Sequence, residues 1–352
     1  MKKIWIFSLF VANYAWLCAQ NDSTQLRFGV DYTSELQSNF GRKYNWVNLL
    51  TLWGEVPTEK LCKGWRGGAF QAGTFGSYKL FDEQIVPDLQ TYSNIEEDNR
   101  WLNFSLLGYE QRWHKVTLYA GVRSANYDYF ISPYTSLFTG SSAGIFPTLS
   151  VNYDMANYPL SGLGLHAEYA FAEDWIFKTS LYNGIAHDPQ ASGRTDLSQL
   201  FVVRPRRDGL FSMSQLSFRN YAIGAAVQTA GEEHTTTASF WAAVEQALVK
   251  NDQREIGLLL HGGFAPSHKL ECRYYAAVGA YWAGILAPEK GDQIGVYFNA
   301  TEVSGEKEQS LELTWHYPLC EWLCVQPAVH YIVTGGRQSV VGLLRVYVSV
   351  GD

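Results

Sequence analysis

The feature that most constrains this chain is a sustained alternation of apolar and polar side chains. In residues 311–317, every odd position is apolar and every even position is polar. A similar alternation recurs at 325–331, and another runs over 270–282, where Cys272 and Tyr274 fall on the apolar side. Because successive side chains of a β-strand point to opposite faces, each segment predicts a strand with one apolar and one polar face.

The length of these segments distinguishes two kinds of β protein. Strands of a soluble β-sandwich are usually about five or six residues long, whereas a strand that crosses a membrane needs about ten residues of alternating polarity. The pattern at 270–282 is of the longer kind. The sequence therefore favours an all-β fold, a transmembrane antiparallel β-barrel, over a soluble secreted β-sandwich.

Composition supports a β protein with one face in an apolar medium. Charged residues make up only 17% of the chain and aromatic residues 15%, against about 25% charged residues in a typical soluble domain. Disordered chains are poor in aromatics and rich in charge, so disorder is excluded. The net charge of −7 argues against nucleic acid as a partner, because nucleic acid binding needs basic patches.

Residues 1–19 have the pattern of a secretory signal peptide. Lys2 and Lys3 give a positive start, residues 4–17 are mostly apolar, and Ala19 ends a stretch that resembles a cleavage site. Such a segment is removed on export and is too short to span a bilayer comfortably. A lipoprotein signal built on the neighbouring cysteine is the alternative interpretation.

Residues 20–352 are expected to form one outer-membrane β-barrel domain. They contain no run of about 18 apolar residues, so no transmembrane helix is predicted. At roughly 20 residues for each strand with its connection, the segment provides about sixteen strands. Barrels of about that size enclose a water-filled channel.

One long connection, from about residue 124 to 162, is rich in aromatic residues. A structureless loop of that length is uncommon unless it has a function. So many aromatic side chains are not expected to remain in water. We therefore expect this loop to fold into the barrel and to narrow it.

The order of several short motifs resembles that of the carbohydrate-selective porins of the OprB family. The motifs that carry the resemblance are Tyr32-Thr33-Ser34-Glu35, Gly64-Trp65-Arg66-Gly67-Gly68, Ser93-Asn94-Ile95-Glu96, Tyr109-Glu110-Gln111, Tyr158-Pro159, Tyr182-Asn183-Gly184, Phe264-Ala265-Pro266 and Leu311-Glu312-Leu313-Thr314. The resemblance implies a sixteen-stranded outer-membrane barrel for passive, selective diffusion of monosaccharides and other small sugars. It leaves both a monomer and a homotrimer open. Two departures are Asn103 and Leu106, which replace charged residues of the family.

Strand parity and the resemblance together suggest residues of the sugar pathway. The charges expected on the lumen face by parity are Arg123, Glu168, Lys178, Glu312 and Arg345. The residues expected at the constriction, from the resemblance and the loop argument, are Glu96, Asn126 and Tyr129. A mixture of signs favours a neutral solute, since an anion pore would prefer rings of Arg and Lys.

The sequence contains no zinc motif of the His-Glu-x-x-His kind. No nucleophile with a partner base can be assigned, so we expect no enzyme, no metal and no cofactor. Cys320 and Cys324 flank a predicted periplasmic turn, and an oxidising compartment would allow them to form a disulfide. The expected partners are small sugars and outer-membrane lipid. The alternatives are a channel for other solutes, a membrane-embedded enzyme, and a soluble secreted sugar-binding protein.

Overall fold

The computed structural model describes residues 25–351 except for residues 233, 252 and 253. The predicted signal peptide lies outside the described residues. The sixteen described strands form one closed antiparallel barrel, which confirms the predicted fold class and strand number. No helix among the described residues is long and apolar enough to span a membrane.

The strands follow one another around the barrel, and β1 pairs with β16 to close it. Their bounds are β1 Arg27–Ser38, β2 Tyr44–Pro57, β3 Gly68–Lys79, β4 Arg100–Trp113, β5 Val116–Arg123, β6 Gly162–Ala172, β7 Trp175–Asn183, β8 Leu210–Phe218, β9 Tyr221–Gln228, β10 Thr237–Lys250, β11 Glu255–Phe264, β12 Cys272–Ala283, β13 Gln293–Val303, β14 Glu306–Cys320, β15 Leu323–Thr334 and β16 Arg337–Gly351. Three short α-helices lie in the connections: α1 Thr58–Leu61, α2 Pro147–Ser150 and α3 Pro205–Asp208.

The three longest connections all open on the rim opposite the described chain ends. We call them L2 (residues 80–99), L3 (residues 124–161) and L4 (residues 184–209). In bacterial barrels the long loops face the outside and the short turns face the periplasm. The rim that carries L2, L3 and L4 is therefore the extracellular one.

Apolar side chains are exposed on the outer face of the barrel and polar side chains are buried on its inner face, as the alternation predicts. On β14, Leu313 is 53% exposed on the outer face, whereas the neighbouring Glu312 is 2% exposed and points inward. The outer face also carries aromatic contacts near the periplasmic rim, such as Phe171 with Trp175 and Trp315 with Tyr317. Such belts are typical of the membrane–water interface.

One predicted face is wrong, at the start of β12. The alternation puts Cys272 on the apolar outer face together with Tyr274. In the structure Cys272 is buried, and its Sγ lies 3.2 Å from Oγ1 of Thr301. The register between β12 and β13 shifts between Cys272 and Tyr275. Such an irregularity changes the two-residue period, so the side chain before it turns inward.

L3 folds into the barrel, as predicted, and packs on one side of its inner wall. Buried side chains of L3, including Phe138, Phe146 and Leu149, form a cluster with inward-facing residues of β7 to β13, including Trp241 and Tyr275. Burying these aromatic rings together removes a large apolar area from water. L3 therefore occupies that half of the lumen.

L2 covers another part of the wall. Its Ile85, Val86 and Tyr92 pack against inward-facing apolar residues of β15 and β16. L2 and L3 are also joined to each other, because Asn94 N donates to Thr139 O at 2.7 Å and Ser141 N donates to Thr91 O at 2.9 Å. The two loops thus form one connected structure inside the barrel.

Candidate pore constriction

A cavity of about 250 Å³ lies between L3, the end of L2 and the inner faces of β2 to β4. It occupies the part of the lumen beside the two packed loops. The residues that L2 and the strands contribute to its lining are Leu49, Thr51, Phe75, Asn94, Ile95 and Ser105. L3 contributes all the others, among them Asn126, Tyr127, Tyr129, Phe130, Phe138 and Tyr158.

The residues that line this cavity are uncharged. None of its residues, all of which lie in the described part of the chain, is Asp, Glu, Lys, Arg or His. Aromatic rings such as those of Tyr127 and Phe130 alternate with hydroxyl and amide groups such as those of Ser136 and Asn157. The site therefore offers apolar faces and neutral hydrogen-bonding groups side by side.

Arg345 faces the lumen, as predicted, but its guanidinium is paired with other residues of the protein and is not open to a solute. Its guanidinium lies 2.7 Å from the Glu35 carboxylate of β1, and Arg345 Nη2 donates to Asn94 Oδ1 of L2 at 2.8 Å. Arg345 and Glu35 are 1% and 0% exposed. Arg345 therefore positions L2 and is not among the residues that line the cavity.

Glu312, on β14, binds a loop in a comparable way. Its carboxylate accepts hydrogen bonds from the backbone N–H groups of Thr139 and Gly140, at 2.7 and 3.1 Å, and from the Thr139 hydroxyl at 2.9 Å. Four residues earlier, Glu308 accepts from Leu89 N at 2.6 Å and Gln90 Nε2 at 3.1 Å. The two carboxylates therefore hold L3 and L2 on the same strand.

Arg123 also faces inward and is paired with L3. Its guanidinium makes two hydrogen bonds to the Asp128 carboxylate, at 2.6 and 2.8 Å. Burial alone would raise the pKa of Asp128, but the charge of Arg123 holds that pKa below its usual value.

Glu168 and Lys178 face each other in register and lie 3.6 Å apart. Neither lines the cavity.

Two of the three residues predicted at the constriction line the cavity. Asn126 does so while its Oδ1 accepts from Tyr158 N and Ser124 Oγ, both at 2.7 Å. Tyr129 presents its ring, and its hydroxyl donates to Ser180 Oγ at 3.0 Å. The third, Glu96, lies half-buried in L2 outside the lining, and burial raises the pKa of its carboxyl.

Sequence reasoning missed Glu35, Glu308 and most of the uncharged lining. The alternation over residues 27–38 and 306–320 would have put both carboxylates on the lumen face. Parity alone does not show which lumen groups are tied to loops and which remain open to a solute. The uncharged residues Phe75 and Ser105 carry no sequence signal that separates them from ordinary lumen residues.

The structure does not contain the possible disulfide between Cys320 and Cys324, because both thiols are free in it. Cys320 is exposed, whereas Cys324 is buried. The register explains the separation, since Cys324 pairs with Pro318 and Cys320 pairs with Leu323 across a shift in the ladder. Flanking the same turn therefore does not place the two cysteines opposite each other.

Comparison with known proteins agrees with this geometry. Residues 211–349 match the family described as carbohydrate-selective porin, OprB family, which confirms the resemblance predicted from the sequence. The protein is an outer-membrane porin. The matched segment runs from β8 to β16 of the porin and includes Glu308, Glu312 and Arg345. It does not include L3.

Solved porin structures share the fold at low sequence identity. The low-pH structure of Pseudomonas putida OprB aligns over 98% of this porin and 99% of that chain, with a TM-score of 0.64 and 13% identity. A mutant of the Rh. blastica porin aligns over 93% and 100%, with a TM-score of 0.54 and 13% identity. The trimer form of Vibrio cholerae OmpT aligns over 93% and 99%, with a TM-score of 0.53 and 10% identity. No curated protein matches the sequence significantly.

Proposed function

We propose that this porin passes small neutral carbohydrates across the outer membrane by passive, selective diffusion. The observation that carries the proposal is the uncharged lining of the cavity beside L3, which combines aromatic rings with hydroxyl and amide groups. The description of the matched family, carbohydrate-selective porin, supports the same solute class.

The lining suits a sugar for physical reasons. A sugar has apolar C–H faces that stack on rings such as those of Tyr127 and Phe130, and hydroxyls that exchange hydrogen bonds with Ser136 and Asn157. A neutral hydrogen bond contributes only about 0.5–1.5 kcal/mol. Passage needs binding that is weak enough for release, so several weak neutral contacts serve better than one buried charge.

A single-channel recording with a panel of solutes tests this proposal. Glucose and other small sugars are expected to lower the ion current through the wild-type porin in a concentration-dependent way, because a bound sugar displaces ions from the constriction. A zwitterion of equal size is expected to have little effect. Equal effects of both solutes would favour the alternative of a channel for other solutes.

Phe130 provides a direct test of the aromatic contribution. We expect Phe130→Ala to weaken the sugar-dependent reduction of the current by about a factor of five, corresponding to about 1 kcal/mol for one lost ring contact. The matched control is Phe177→Ala, on the outer face of β7. An unchanged sugar response in Phe130→Ala would contradict the proposed contact.

We propose that the porin assembles as a homotrimer through the outer face of β5 to β9. Strands β5, β7 and β9 have only 8, 9 and 8 residues, against 15 in β14. A row of small residues in register crosses this wall: Ala167, Thr179, Ser214 and Ala225. Small side chains allow close approach of a second copy.

Native mass spectrometry in detergent tests this assembly. The wild type is expected to be a trimer, and Thr179→Trp is expected to disrupt it. A monomeric wild type would contradict the proposed assembly.

A further inference from the structure

A second, much smaller cavity lies where L2 and L3 meet β13 to β15. Its volume is about 10 Å³, and its lining includes the carboxylates of Asp88, Glu308 and Glu312. This volume is about what one water molecule or one bound ion requires. The cavity is separate from the uncharged one that we assign to sugar passage.

The carboxylates around this cavity have no counter-ion among the lining residues. No Lys or Arg of the described chain lines it, and the only nitrogen base there is His330, which shares a hydrogen bond with Thr139 Oγ1 at 2.8 Å. Buried charges in proteins are ordinarily paired or coordinate a metal. The cavity therefore concentrates negative charge that its lining does not neutralise.

Asp88 and Glu308 repel each other electrostatically at this cavity. Asp88 accepts from the backbone N–H groups of Thr91 and Tyr92 at 2.6 and 2.7 Å, which orient the carboxylate without neutralising it. Burial, followed by the repulsion from Glu308, raises the pKa of Asp88 to about 7.

Two unused amide oxygens provide an independent observation. Asn299 and Gln90 are 5% and 8% exposed and line the same cavity. No described residue donates a hydrogen bond to Asn299 Oδ1 or to Gln90 Oε1. Gln90 Nε2 already bonds Glu308 at 3.1 Å, so its amide lies beside that carboxylate. A buried acceptor without a donor is costly unless a cation or another group satisfies it.

We propose that this cavity binds a divalent cation, Ca²⁺ in the first place, through Asp88, Glu308, Gln90 Oε1 and Asn299 Oδ1. The donor set consists of oxygens alone, and Ca²⁺ accepts carboxylate and amide oxygens in flexible geometry. Among the described residues, no three His, Cys, Asp or Glu side chains are grouped so that they could hold a metal ion by themselves. The two amide oxygens are therefore an essential part of the site.

The consequence of binding is a link between the wall and the pore loops. Asp88 and Gln90 belong to L2, whereas Asn299 and Glu308 belong to β13 and β14. Because L2 is hydrogen-bonded to L3, the cation clamps both loops that narrow the lumen. The proposal does not depend on which solute the porin passes.

The test is Ca²⁺ titration of the full porin, folded in detergent free of lipopolysaccharide and treated with EDTA. Calorimetry is expected to show one site with a dissociation constant of about 10⁻⁴–10⁻³ M, the range of extracellular calcium sites. Ca²⁺ should also raise the midpoint of thermal unfolding. Because a proton competes with the ion for Asp88, binding should be tighter at about pH 8 than at about pH 5. The other titratable groups that face Asp88 are Glu308, Glu312, His330, Glu96 and Tyr92.

Substitutions at Asn299 separate a cation site from ordinary packing. Asn299→Ala should weaken Ca²⁺ binding by about tenfold or more, whereas Asn299→Asp should tighten it by adding a third carboxylate ligand. Glu302→Gln, exposed near the end of β13, is the control and should bind like the wild type. The proposal is overturned if the wild type binds neither Ca²⁺ nor Mg²⁺. It is equally overturned if Asn299→Asp binds no more tightly than the wild type, or if stability responds to pH alone.

Discussion

Replacement of residues 130–154 of L3 by a short glycine–serine linker is expected to increase the single-channel conductance several-fold. The segment fills one half of the lumen and forms one wall of the uncharged cavity. A barrel of about sixteen strands without such a plug encloses an open aqueous channel. The linker begins after Asp128 and Tyr129, so the pair between Arg123 and Asp128 is retained.

The same variant should lose its discrimination between solutes. Glucose and a zwitterion of equal size should permeate at nearly equal rates, because the L3 wall of the cavity from Phe130 to Ser150 is gone and the remaining rings border a much wider lumen. The barrel itself should persist, since every strand keeps its backbone hydrogen bonds to both neighbours. Removal of residues 191–195 from the exposed part of L4 is the matched control and should leave conductance unchanged. An L3 variant that conducts like the wild type would contradict the placement of L3.

The second large effect is expected from Glu35. Glu35→Ala leaves Arg345 as a buried charge without its carboxylate partner, which lies 2.7 Å away in the wild type. Breaking a buried ion pair by removing one partner costs about 3–5 kcal/mol. We therefore expect a loss of that size in the free energy of unfolding, measured by urea denaturation in detergent micelles.

A surface pair provides the control for this prediction. Lys43 and Glu83 lie 3.6 Å apart, and the Glu83 side chain is 85% exposed. Exposed pairs contribute about 0–1 kcal/mol, so Glu83→Ala should be nearly neutral. The double variant Glu35→Ala/Arg345→Ala should recover part of the loss, because it removes the orphaned charge. A loss for Glu35→Ala no larger than that for Glu83→Ala would contradict the structural role of the pair.

The sequence predicts the barrel and its two faces because the period of a β-strand is two residues. That period places Glu312 and Arg345 in the lumen without any knowledge of their neighbours. It fails at Cys272, where a shift in the β12–β13 register turns the side chain to the inner face. No residue pattern in the sequence predicts that shift. Aromatic content likewise predicts that L3 folds inward, since so many rings are not stable in water.

The partners of the lumen charges could not be predicted in the same way. Arg345 pairs with Glu35, 310 positions away along the chain, because the barrel closes between β1 and β16. Glu312 binds the backbone of L3, which depends on how far that loop reaches across the lumen. Three of the charges predicted for the sugar pathway, Arg123, Glu312 and Arg345, therefore hold loops in place, and the uncharged residues that those loops present line the cavity.

Liposome swelling tests the central claim most directly. Vesicles that contain the wild-type porin are placed in isotonic glucose or in an isotonic zwitterion of equal size, and the initial swelling rates are compared. An uncharged constriction of rings and hydroxyls predicts that glucose enters clearly faster than the zwitterion. Equal rates, or faster entry of the zwitterion, would contradict the claim that the lining selects neutral carbohydrates.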